Sequence, residues 1–151
     1  MTMDPAPPLN QALDALRAST QPLDGTQVDA FLEAVRTESD AKRTRAALAE
    51  LIESPQLGLD QLERVARSDP KLVRGHETRI RRTYLNRRLE ESVTQELLEQ
   101  VIESRDATIQ TQLVRDARLS RKQAEQLAKR GANPTIRQNA KTWVQDKKAW
   151  R

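Results

Sequence analysis

The stretch "QAEQLAKRGANPTIRQNAKTW", residues 123–143, decides how the whole chain is read. A run with helical apolar spacing ends at Gly131. A turn carries Asn133 and Pro134. A second run then places Ile136, Ala140 and Trp143 at i, i+4 and i+7, one face of a helix. Two readings compete: a helix-turn-helix that reads DNA, or one unit of a stacked helical repeat. Ala128 to Gly131 is three residues and Gly131 to Ile136 is five. Each gap is one residue short of the DNA-reading motif, so the two helices would not meet at the angle a recognition helix needs. The repeat reading also accounts for similar units upstream, which a lone helix-turn-helix does not.

Four segments open with a small polar residue ahead of an apolar helical pattern, at Thr26, Asp60, Thr94 and Ser120. A side-chain oxygen there can accept from an exposed amide of the first turn. Asp60 with Glu63, and Ser120 with Gln123, have the i, i+3 spacing of a capping box. The starts are 34, 34 and 26 residues apart, within the period range of helical repeats. After the last three, a polar turn leads to a second helix expected near Lys71, Ala107 and Pro134. Proline suits that position because the first turn needs no backbone donor.

The segments "VARSDPKLVR", "TQELLEQVIESRDATIQ" and "VRDARLSRKQAEQLAKRGANPTIRQNA" carry a resemblance. Over residues 59–145 or so they resemble leucine-rich-repeat-variant units, a bacterial relative of HEAT-type helical repeats. The shared pattern is a leucine-containing helix, an Asp-Pro or Asn-Pro turn, and an apolar residue followed by Arg. The resemblance implies longer helices alternating with shorter ones in a right-handed superhelix. The unit spacing here is irregular and longer than that family's. Some members also hold an iron–sulfur cluster on cysteines, and this chain has no cysteine.

The expected fold is therefore all-α: about eight helices in antiparallel pairs, forming a short right-handed solenoid. Residues 1–10 are expected to be a disordered tail, 11–55 a helical cap and 56–151 the repeats, in a single domain overall. Within the cap, helices are expected over 11–18, 27–36 and 40–53. Composition agrees. Gly is rare at four residues and aromatics are 3%, so the core must be aliphatic and thin, which suits stacked helix pairs. The N-terminus has neither the basic start nor the apolar core of a signal peptide. No stretch approaches the roughly 18 apolar residues of a membrane span. The expectation is a soluble cytoplasmic protein that does not contact a membrane.

Charge is blocked along the chain. Residues 1–70 carry 7 basic and 12 acidic side chains, 71–88 carry 7 and 1, 89–114 carry 1 and 6, and 115–151 carry 11 and 3. Such asymmetry fits an electrostatic partner, nucleic acid or an acidic protein, and it also fits the patchy surface of an ordinary helical protein.

The basic run "KLVRGHETRIRRTYLNRRL" supplies the candidate contact residues Lys71, Arg74, Arg79, Arg81, Arg82, Arg87 and Arg88. If the run is helical after Gly75, Ile80 and Tyr84 face the core. Arg74, Arg81 and Arg88 recur every seven residues along one flank. They could track phosphates or pair with the acidic segments on either side. Trp143 reads as core. Trp150 lies seven residues further on the same face and is a candidate interface for self-association.

No pattern points to catalysis. His76 is the one histidine and reads as a surface or turn residue. Glu90 and Glu91 are neighbours that a helix points about 100° apart, so they are no preset acid–base pair. The four glycines are isolated and form no phosphate loop. The expected function is a non-enzymatic protein-interaction adaptor without a cofactor. A nucleic-acid-binding protein using residues 71–88 and the basic C-terminal third is the alternative.

Overall fold

The computed structural model describes residues 8–146, and Met1–Pro7 and the last five residues lie outside it. The described residues form ten helices and no strand. They divide into two compact units, one reaching to Thr83 and one beginning at Tyr84.

The first unit contains α1 (Pro8–Ala18), α2 (Gly25–Thr37), α3 (Ala41–Glu53), α4 (Leu59–Ala66) and the four-residue α5 (Pro70–Val73). It also contains the start of α6 (Glu77–Glu91). α1 begins inside the stretch expected to be tail, because Leu9 is buried and anchors its first turn. α2 packs against α1, α3 and α4. Val28, Leu48, Leu51, Ile52, Leu62 and Val65 fill the centre. Ion pairs from Arg17 to Glu50 and from Arg64 to Asp29 lie on the rim of this core.

Two of the expected caps are displaced. α2 is capped by Asp24, not Thr26, and its capping box joins Asp24 to Gln27 with both bonds at 2.8 Å. Asp and Thr both cap well, so the residue that also had a glutamine three positions on prevailed. α4 is capped by Gly58 with no side-chain bond, and Asp60 lies in its first turn. There its carboxylate faces the positive end of the helix dipole.

The second unit contains the rest of α6, α7 (Gln95–Ser104), α8 (Ala107–Leu113), α9 (Arg121–Arg130) and α10 (Pro134–Gln145). Here the expected starts hold. Thr94 accepts from the Leu97 amide, Ser120 and Gln123 close a capping box, and Asn133 accepts from the Ile136 amide with Pro134 opening α10. The Asp69-Pro70 and Asp106 turns open α5 and α8 in the same way. Leu98, Val101, Ile109, Leu113, Leu127 and Ile136 are buried in one cluster, with Trp143 packed at its edge. α9 lies against α10, α7 touches α8 and α9, and α8 touches α10.

Gly131 ends α9 with an ordinary negative φ of −56°, so its role is steric. A Cβ there would sit 2.7 Å from the Leu127 carbonyl oxygen and 2.8 Å from Ile136 Cγ2. Gly131→Ala is expected to destabilise the second unit by about 1–3 kcal/mol through overcrowding. Urea unfolding of the two proteins checks this, and an unchanged midpoint would mean that α9 and α10 can separate without cost.

Candidate functional site

The basic run is built on α5, the turn at Gly75 and α6. Asp69 and Pro70 start α5, and Gly75 ends it with a left-handed φ of +86°. This break corrects the expected sevenfold row. Arg74 precedes the turn and is not on α6, so only Arg81 and Arg88 share that helix. The buried face also differs. Leu85 and Leu89 are buried, whereas Ile80 and Tyr84 are half-buried. α6 carries arginines on most sides, so no apolar stripe stands out in its sequence.

The seven cations fall into different surroundings. Arg79 donates through Nε to Glu53 Oε1 on α3 at 3.1 Å and through Nη1 to His76 Nδ1 at 2.9 Å. Arg88 donates to the Tyr84 hydroxyl at 2.8 Å and lies 5.7 Å from the centre of that ring. A guanidinium stacked and bonded in this way is held near the protein surface. Arg82 and Arg87 are half-buried. Lys71, Arg74 and Arg81 are exposed. Lys71, Arg74, Arg79, Arg81 and Arg82 belong to the first unit, and Arg87 and Arg88 to the second. Within either unit the run is therefore a shorter set of cations than its sequence suggests.

His76 is in a turn, as expected, but not on the surface: it is 3% exposed. Its proton affinity is lowered from the ordinary histidine value. Burial disfavours the charged ring, and Arg79 and Arg45 add repulsion.

Much of the basic C-terminal third is engaged within the second unit. Arg118 pairs with Asp116 at 2.7 Å and donates to the Leu89 and Glu90 carbonyls, which α6 leaves open at its end. That hydrogen-bonded pairing holds the Asp116 carboxyl below the usual carboxylate range. Arg130 bridges to Glu99 at 2.9 Å, and Arg137 donates to the Gly131 carbonyl. Lys122, Lys129 and Lys141 are exposed. Trp150, the candidate interface residue, lies outside the described residues.

One feature escaped the sequence reading. A groove of about 560 Å³ opens between α1 and α2, with Leu16, Phe31, Ala34 and Leu51 in its lining. Ala12, Ala15 and Ala30 line it too, and their short side chains leave space along it. The alanine spacing was visible in the sequence, but alanine on a helix is read first as propensity. Among the described residues no three His, Asp or Glu side chains gather as a metal site would require, and no helix is long and apolar enough to cross a membrane. The chain matches no family model, no curated protein and no solved structure.

Proposed function

We propose that the protein is a cytoplasmic, non-catalytic scaffold of the helical-repeat type that binds another protein, with its helix pairs stacked antiparallel in a right-handed solenoid. The observation that carries the reading is the contact pattern of the second unit. The two first helices, α7 and α9, touch each other, as do the two second helices, α8 and α10. Stacked repeats make contacts of this kind, and their remaining surface is open for recognition. The α1–α2 groove favours a protein over a nucleic acid, since apolar surface is covered well by side chains and poorly by phosphates.

Affinity capture from native lysate, with and without nuclease, tests this reading. A specific protein is expected to be retained after nuclease treatment and lost from an Ala30→Arg variant, which places a charge in the groove. Retention by both proteins would show that the groove is not the contact surface. Loss of all bound material on nuclease treatment would overturn the adaptor reading.

The nucleic-acid reading has one observation in its favour, the exposed Lys71, Arg74 and Arg81. If these three contact duplex DNA, affinity should fall with salt at a log–log slope of about −2.7. The adaptor reading expects no DNA binding even at about 20 mM salt, where such contacts are strongest.

A further inference from the structure

The turn between α5 and α6 encloses the chain's one histidine in a built hydrogen-bond network. The His76 amide donates to the Val73 carbonyl at 2.9 Å, and its own carbonyl accepts from the Ile80 amide at 2.9 Å, in the first turn of α6. The preceding Gly75 amide donates to Glu77 at 2.9 Å. The ring's Nδ1 faces the Arg79 guanidinium. A guanidinium has no acceptor, so Nδ1 must be the acceptor, and the imidazole is neutral with its proton on Nε2. Arg79 continues the chain of bonds to Glu53, so the start of α6 is tied to α3.

Protonation of Nδ1 would set one N–H against another across 2.9 Å. The hydrogen bond would be lost and a cation would face a cation beside a buried ring. The charged groups around the ring are Arg45 and Glu53 on α3, and Glu77 and Arg79 on α6. The two arginines oppose a charged ring. Glu77 favours one, but its carboxylate also accepts from the Gly75 amide.

We infer that His76 is an acid-sensitive latch: neutral, it ties the start of α6 to α3 through Arg79 and Glu53, and protonated, it lets residues 70–80 open locally. This inference does not depend on whether the partner is protein or nucleic acid. The opened segment would add Arg79 and the charged ring to the already exposed Lys71 and Arg74.

The sign follows from linkage. The folded site binds the proton less well than an unfolded histidine, chiefly through burial and then through Arg79. The latch is therefore fully closed above the ordinary value of about 6.5 and weakens as pH falls below it. Each pH unit below that value increases local opening about tenfold, until the folded value is reached.

Amide exchange across residues 72–80, corrected for intrinsic rates, tests this between about pH 7 and pH 5.5, a window that brackets the ordinary histidine value. The unaltered protein is expected to open more at the lower pH, by up to about eightfold. His76→Asn keeps an acceptor near the Nδ1 position and cannot titrate, so its opening should not change with pH. Equal pH dependence in both proteins, or none in the unaltered one, would overturn the latch. Should His76→Asn fail to fold, the NMR titration of the single imidazole decides the matter. A midpoint below about 6.5 that rises in Arg79→Met is expected. A midpoint at or above that value, or one indifferent to Arg79, refutes the proposal.

Discussion

Truncating Leu127 to alanine is expected to lower unfolding free energy by about 2–5 kcal/mol, the range for emptying a well-packed leucine site. Leu127 is 0% exposed on the inner face of α9. It belongs to the cluster that also holds Leu98, Val101, Ile109, Ile136 and Ala140. α9 contacts both α7 and α10, so the cavity would open where these helices meet and could not collapse without shifting one of them. Both tryptophans follow Tyr84 in the sequence, so urea unfolding followed by their fluorescence reports on the second unit. With a slope of about 2 kcal/mol per molar urea, the midpoint should fall by about 1–2.5 M. Lys129→Ala is the control. Lys129 is exposed on the same helix, and its loss should cost less than about 0.5 kcal/mol. Equal losses in the two variants would mean that the buried and exposed faces have been exchanged.

The second large effect is expected at Gln110, a polar side chain that is 0% exposed. Its Nε2 donates to the Val101 carbonyl at 3.1 Å, and its Oε1 accepts from the Ala132 amide at 2.8 Å. One side chain on α8 thus joins the end of α7 to the turn between α9 and α10. The Val101 carbonyl also accepts from the Ser104 hydroxyl at 2.6 Å, so the Ala132 amide is the group that depends on Gln110. Gln110→Leu keeps most of the volume and removes both bonds, at a cost of about 1–3 kcal/mol, chiefly for the Ala132 amide left unsatisfied. Gln110→Ala adds a cavity and should cost about 2–5 kcal/mol. Denaturation of the pair separates the polar contribution from the packing contribution. A leucine variant as stable as the original would show that the Ala132 amide finds water instead.

The features legible in the sequence were those written in short range. Thr94, Ser120 and Asn133 announce helix starts because a cap is a bond between one side chain and an amide two or three residues away. The α9–α10 unit, its Asn-Pro turn and its stripe of Ile136 and Ala140 were readable for the same reason. Where two local signals competed, as with Asp24 and Thr26, the start was located but its cap was misassigned.

Tertiary structure alone decided the rest. Gln110 reads as a surface residue until Ala132, 22 positions away, is brought to it. His76 reads as exposed until the fold buries it and Arg79 links it to Glu53, 26 residues before that arginine. The pattern of α6, with arginine on most sides, cannot choose between Ile80 with Tyr84 and Leu85 with Leu89 as the buried pair. That choice depends on which neighbours supply apolar surface, and burial is a property of the neighbours as much as of the helix. The groove between α1 and α2 follows the same logic. Alanine spacing permits a gap, but only the placement of Phe31 and Leu51 beneath it makes that gap apolar.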